Sequence, residues 1–192
     1  MDYIVVSSSM CDYQVWQLKL LYWSMKKSKQ KGKLVILLSE DKGHQGENPD
    51  FTFPEDVIVI RLPDWAHEWK VANDDWWGGI PNKYKSTEWL CDNNFFKDDD
   101  KLLFLDPDMV FIKPLDVNIN DNQVIGQKFL GFSDLEGWNH YDSNEGIMYP
   151  FALKFSTLKK IDHHFTSFSE QIRKQIGTWE SDMWGLDYAL KE

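Results

Sequence analysis

Short unbroken apolar runs alternate along this chain with longer stretches of helical spacing. Tyr3–Val6, Lys33–Leu38, Asp56–Leu62 and Leu102–Leu105 read as strands. An uninterrupted apolar run describes a strand buried on both faces, the kind found in a mostly parallel sheet covered by helices. Between the first two runs, Tyr13 to Lys27 carries Val15, Trp16, Leu18, Leu20, Leu21, Trp23 and Met25. That spacing predicts a helix with one broad buried face. Asp12 is placed to cap it, and Gly32 breaks the chain before the second strand. Tyr3–Ser39 is therefore strand, helix, strand, the start of a parallel sheet.

The later pattern continues the alternation. Asn82–Phe96 reads as a helix, with Tyr84, Trp89, Leu90 and Phe95 available for burial. Gln123–Phe132 reads as a strand broken by Gly126 and Gly131, and Gly146–Tyr149 as a short strand ending at Pro150. Phe151–Ile161 and Phe165–Ile176 read as helical segments, and Trp179–Leu190 as the last segment. The whole predicts one α/β domain with no internal repeat or linker. His163 and His164 are adjacent, so on a helix they point in different directions, and solvent or capping explains them better than a metal.

Two long connections stand out. Glu40–Phe53 is polar. Asp64–Pro81 contains Trp65, Trp69, Trp76 and Trp77 beside Asp74 and Asp75. Long loops in small domains are usually functional or disordered. A sugar or peptide platform and simple packing onto the domain both fit this loop.

The chain is organised around Lys101–Lys113, KLLFLDPDMVFIK. Two apolar runs, Leu102–Leu105 and Met109–Ile112, flank Asp106, Pro107 and Asp108. Two carboxylates at the end of a buried strand need a partner, because a buried charge must be paired or bound to a metal. In open α/β sheets ligands bind outside the carboxyl ends of the strands. The arrangement calls for a divalent cation, and a cation held by two carboxylates brings phosphate oxygens with it. A solvated turn with two chance aspartates is the bland alternative. Ser7, Ser8 and Ser9 at the tip of the first strand suit a base or ribose, or plain turn chemistry. Lys83 near a helix start suits a phosphate, or is an ordinary surface lysine.

Composition narrows the picture. At 192 residues, with 42% hydrophobic and 27% charged, the chain can bury a sizeable core. The net charge of −10 argues against a general binder of nucleic acid or anionic membranes. The lysines of Lys26–Lys33 read as the solvated end of a helix. Cys11 and Cys91 make neither a disulfide framework nor a zinc site. No signal peptide or membrane span is visible, which implies the cytoplasm for a complete chain and a Golgi or secretory lumen for a fragment.

Four stretches, in order, resemble the plant-type peptidyl glycosyltransferases, the hydroxyproline O-arabinosyltransferases and peptidyl serine O-galactosyltransferases. Tyr13–Gln17, with Leu21-Tyr22-Trp23 and Lys26-Lys27, is similar to their Trp-Gln helix. Asn82-Lys83 and Glu88-Trp89-Leu90 resemble their Asn-basic-Pro and Trp-Leu element. Leu103–Pro114 looks like their acidic-Pro-Asp strand, and Trp179–Tyr188 like their Trp-X-X-acid-Met-aromatic segment. Tyr84 departs from the family's proline and Trp184 from its tyrosine. No late histidine follows to complete a metal site, so a truncated or compact version is expected.

The resemblance implies a single GT-A domain, a Rossmann-like, mostly parallel mixed sheet with helices on both faces. It implies transfer of a sugar, retaining its configuration, from a UDP-linked donor to a hydroxyl of a peptide or glycan. Asp108 and Asp106 would hold Mn²⁺ or Mg²⁺, with Asp106 also reaching the ribose. Asn82 and Lys83 would serve the donor, beside the Ser7–Ser9 tip read from its strand-end position, and Asp182 or Glu180 the reacting centre. Two other classes remain open. One is a haloacid-dehalogenase-type phosphohydrolase, whose nucleophilic strand also carries Asp-X-Asp. The other is a non-catalytic carbohydrate- or peptide-binding module.

Overall fold

Six strands assemble into one sheet in the order β3-β2-β1-β4-β6-β5 in the computed structural model, which describes residues 1–40, 52–68, 80–130, 145–176 and 181–190. The strands are β1 (Tyr3–Ser9), β2 (Lys33–Ser39), β3 (Ile58–Leu62), β4 (Lys101–Leu105), β5 (Val124–Leu130) and β6 (Glu145–Lys154). β3, β2, β1 and β4 run parallel, and β6 pairs antiparallel with both β4 and β5. The helices are α1 (Asp12–Ser28), α2 (Ile80–Asp92), α3 (Phe155–Ile176) and α4 (Ser181–Ala189). The chain is thus the Rossmann-like α/β domain that its pattern predicts.

Side-chain parity divides the core into two layers. Ile4, Val6, Leu34, Ile36, Leu103 and Leu105 meet Val15, Leu18, Leu21 and Met25 of α1 on one face. Val5, Val35, Leu37, Leu102, Phe104 and Phe151 meet α2, α3 and α4 on the other. Successive strand residues point to opposite faces, so a strand apolar at every position needs a cover on both.

Several local expectations change. Cys11, not Asp12, occupies the N-cap of α1; it makes no side-chain capping bond, and Asp12 lies in the first turn. There its carboxylate favours the positive end of the helix dipole. The tip Ser7–Ser9 continues β1 in register with Leu37–Ser39 instead of forming a turn. α2 begins at Ile80, with Pro81 in the first turn, where its missing N–H costs nothing. The second apolar run, Met109–Ile112, is not a strand.

The largest change is at Phe151, expected to open a helix. β6 instead runs through Pro150 to Lys154, pairing Phe151–Lys154 with Lys101–Phe104. Pro150 is tolerated because it lies at an irregularity: β5 pairs Gln127 with Met148 and then Gly126 with Phe151, stepping over Tyr149 and Pro150. The two helical segments beyond are one helix, α3, continuous through His163 and His164. No glycine or proline interrupts it, and Leu158, Ile161, Phe165 and Ile172 keep helical spacing on the buried side. Cys11 and Cys91 are both free thiols. No helix among the described residues is long and apolar enough to cross a membrane. Much of the polar loop (residues 41–51) and of the Trp-rich loop (69–79), including Trp69, Asp74, Asp75, Trp76 and Trp77, lies outside the described residues, as does 131–144.

α4 is set by a close helix crossing. A Cβ added to Gly185 would lie 2.1 Å from Ser169 Oγ and 2.8 Å from the Ser169 backbone nitrogen on α3. Gly185→Ala must push α4 off α3, at a cost of about 1–3 kcal/mol for overpacking. The expected outcome is a melting temperature lower by several degrees in calorimetry.

Asp162 of α3 is buried beside Cys91, with Glu88 and Asp92 of α2 nearby. Burial first, and then those carboxylates, push its pKa up to about 7. An unfolded aspartate titrates near 3.9, so the folded chain holds an extra proton between about pH 4 and about pH 7 and loses stability as pH rises through that window. Asp162→Asn removes the titrating group. Its melting temperature relative to the parent should therefore rise on going from about pH 5 to about pH 8.

Candidate active site

The order in which parallel strands are added to the sheet reverses between β1 and β4. β1 connects through α1 to β2 on one side, while β4 arrives on the other after β3 and α2. Such a switch point opens a crevice at the carboxyl ends of the two strands. The ends here are Ser7–Ser9 on β1 and Asp106–Asp108 beyond β4.

Strand parity aims the groups. Phe104 faces the α2 layer and Leu105 the α1 layer, so Asp106, one residue further, returns to the α2 side. There the Lys83 ammonium lies 2.7 Å from Asp106 Oδ1 and 3.6 Å from Asp182 Oδ2. Lys83 comes from the first turns of α2 and Asp182 from the first turn of α4. Residues 83, 106 and 182, far apart in sequence, thus meet at one point. The Asp182 side chain is 1% exposed, while those of Lys83 and Asp106 are 26% and 28% exposed. The Lys83 ammonium also sits over the Tyr149 ring, 4.8 Å from its centroid. A cation over an aromatic face is attracted by the ring quadrupole.

Charge balance fixes the protonation states. Burial pulls the Lys83 pKa down, but the charges of Asp182 and Asp106 more than reverse this, and the net shift is upward. Lys83 stays an ammonium at neutral pH. Burial, and then the same two carboxylates, push the Tyr149 phenol well above its ordinary pKa, so it stays protonated.

Asp106, Pro107, Asp108 and Met109 form a tight turn, with the Met109 N–H donating to the Asp106 carbonyl at 3.1 Å. Proline is favoured at the second position of such a turn. Asp106 turns inward to Lys83, while Asp108 is exposed. Among the described residues no three His, Cys, Asp or Glu side chains gather as a metal site. A cation held by Asp106 and Asp108 would take its other ligands from a substrate and water.

The structure uses several expected donor-binding residues to build the frame. Ser8 Oγ and the Ser9 backbone N–H both donate to Gln14 Oε1, which ties the tip of β1 to α1. Ser7 Oγ donates to the Asn82 carbonyl at 3.3 Å. The Asn82 side chain is buried; its Nδ2 donates to Asp64 Oδ1 and its Oδ1 accepts from the Ala66 N–H, both at 3.0 Å. Asn82 therefore pins the start of the Trp-rich loop to α2. Ser7, Ser9, Gln14, Asn82, Lys83 and Pro107 all line a cleft of about 110 Å³ between the tips of β1 and β4. Glu180 lies outside the described residues.

Tyr149 is the site residue that sequence reasoning missed. Its signal was the alternation Tyr149, Phe151, Leu153, which places all three on the face shared with Phe104. Ending the strand at Pro150 hid that alternation. Gln14 and Asp64 gave no signal: Gln14 meets Ser8 and Ser9 only because α1 folds back over the tip of β1, and Asp64 meets Asn82 only when α2 docks. No protein-family model matches this chain, and no curated protein matches it.

Removing Lys83 should expose the imbalance. Asp106 can hydrate when its cation is lost, but Asp182 is buried beside the same ammonium. Lys83→Ala should cost about 3–5 kcal/mol, as for a broken buried pair, and Asp106→Asn much less. The double variant Lys83→Ala/Asp182→Asn should recover part of the loss in urea denaturation, since the buried charge is gone.

Proposed function

We propose that this chain is a metal-dependent glycosyltransferase that moves a sugar from a UDP-linked donor to a hydroxyl of a peptide or glycan. The convergence of Lys83, Asp106 and Asp182 at the sheet's switch point carries this reading. The glycosyltransferase resemblance assigns the same three residues, independently, to donor, metal and reacting centre.

The donor set fits a hard divalent cation. Asp106 and Asp108 offer carboxylate oxygens on one tight turn, the ligand type preferred by Mg²⁺ and Mn²⁺. When bound, the metal would act as a Lewis acid that neutralises charge on the departing diphosphate. Lys83 supplies a second, fixed positive charge beside that turn. The Tyr149 ring beneath it and the Asp182 carboxylate behind it keep the ammonium from swinging away. In the reaction the bond from the anomeric carbon to the diphosphate breaks, a bond from the acceptor oxygen forms, and the acceptor proton is released. The developing positive charge at the anomeric carbon needs a preorganised negative group. Asp182 serves as that group; its negative charge is favoured by the adjacent ammonium.

The direct test is calorimetry of UDP binding with Mn²⁺ and then with EDTA. Binding should require the metal; equal affinity in both would overturn the metal-bridged site. Asp108→Asn should lose UDP affinity and UDP-sugar hydrolysis together. Asp182→Asn should keep UDP–Mn²⁺ affinity while hydrolysis falls about a hundredfold, because a transition-state interaction is removed. If Asp182→Asn abolishes UDP–Mn²⁺ binding as fully as Asp108→Asn does, Asp182 belongs to the donor site instead. Hydrolysis of a generic aryl phosphate would point to phosphohydrolase chemistry.

A further inference from the structure

The outer face of α1 is apolar where a solvated helix would be polar. Tyr13, Trp16, Leu20 and Trp23 are exposed, at steps of three and four that align them in one stripe. Trp23 is 57% exposed. The inner face of the same helix is already filled by Val15, Leu18, Leu21 and Met25, so this stripe is a second apolar surface.

The loop after the Asp106–Asp108 turn lies alongside. The Phe111 N–H donates to Ser24 Oγ at 2.9 Å, and Leu115 and Gln30 exchange two hydrogen bonds, at 2.6 and 3.1 Å. These bonds fix residues 109–115 against the C-terminal half of α1. Met109 and Phe111 turn into the core, while Val110, Ile112 and Leu115 turn out, with Ile112 94% exposed. Among the described residues, the exposed large apolar side chains are those of this loop and of the α1 stripe. Single exposed apolar residues scatter over ordinary surfaces; their collection on two adjoining elements marks an interaction surface.

Lysines predominate at the C-terminal end of this surface, although Asp56 pairs with Lys26 there and Asp12, Asp108 and Asp116 flank the stripe and the loop. Lys27, Lys29, Lys31 and Lys33 surround the C-terminal end of α1, Lys113 sits in the loop, and all are exposed. Lys27 Nζ lies 5.6 Å from the Trp23 ring centroid. Residues 26–33 and 109–115 contain no acidic side chain, in a chain of net charge −10. A second copy docked about a two-fold axis near this end would set these lysines against each other. An aromatic and aliphatic face edged by lysines instead matches the boundary of a bilayer with anionic headgroups. Trp and Tyr settle at that boundary, and lysines reach the headgroups with their stems on apolar surface.

We infer that α1 and the 109–115 loop form a peripheral docking surface for an anionic lipid bilayer. Val110 and Ile112 enter the acyl boundary, and Trp16 and Trp23 lie at headgroup depth. The docking loop starts at Met109, directly after Asp108, so a docked molecule holds the Asp108 side of the cleft close to the lipid. The inference does not depend on which reaction the cleft performs.

Co-sedimentation of the full chain with phosphatidylcholine vesicles, with and without phosphatidylserine, tests it. The chain should pellet with the anionic vesicles at low salt, stay in solution with the neutral ones, and release as salt is raised. Trp16→Gln/Trp23→Gln and, separately, Lys27→Glu/Lys31→Glu should each lower partitioning by roughly tenfold or more. Both pairs are at exposed positions, so melting temperatures should change little. A chain that stays in solution with anionic vesicles overturns the inference, as does binding that neither double variant weakens. If light scattering shows a dimer that Trp16→Gln/Trp23→Gln dissociates, and no vesicle binding occurs, the surface belongs to a second copy.

Discussion

The pairing of the Lys83 ammonium with Asp106 and Asp182 is the constraint on which the cleft depends. A buried carboxylate without a partner is costly, and Asp182 is nearly inaccessible to water. Lys83 brings a cation to that carboxylate, which ties α2 to α4. Gly185, Asn82 and Tyr149 support that meeting. Gly185 lets α4 approach α3 closely enough to bring Asp182 in. Asn82 anchors the chain entering α2 to Asp64 and Ala66. Tyr149 supplies the aromatic floor beneath the ammonium.

One lysine with two carboxylates leaves a net negative centre, and Asp108 beside it deepens that charge. An anionic diphosphate would be repelled by such a site alone. This is the physical reason the proposed chemistry joins the nucleotide to a divalent cation. The two aspartates of the turn are not equivalent: Asp106 is already engaged with Lys83, whereas Asp108 is exposed. Asp108 is thus the carboxylate that can take up a cation without first breaking an internal pair.

The molecule also shows why total charge is a poor guide to local partners. An excess of ten negative charges opposes association with anionic surfaces at long range. Screening limits that effect to about 8–10 Å at ordinary ionic strength, so a lysine-edged patch responds to its own neighbourhood. The stripe on α1 was present in the sequence as Tyr13, Trp16, Leu20 and Trp23. There it was indistinguishable from a broad buried face, because a helix apolar on both sides carries no mark of which side meets the sheet.

The sequence by itself determined the class of fold and the position of the acidic turn that ends β4. Unbroken apolar runs require a sheet covered on both faces, and the observed layers follow from that requirement. The Asp106-Pro107-Asp108 turn at the end of a buried strand was legible for the same reason, since charge at a strand end is conspicuous. The tertiary structure decided what depends on partners distant in the chain. Pairing with β4 made Phe151–Lys154 a strand despite Pro150, because ladder bonds and burial against Phe104 outweigh local preference. Contact with α1 and α2 gave Ser8, Ser9 and Asn82 partners within the fold, while all three still line the cleft. Tyr149 became part of the site only because β6 lies next to β4. Parity and periodicity are local and can be read along the chain; which charge meets which is settled only when the helices dock.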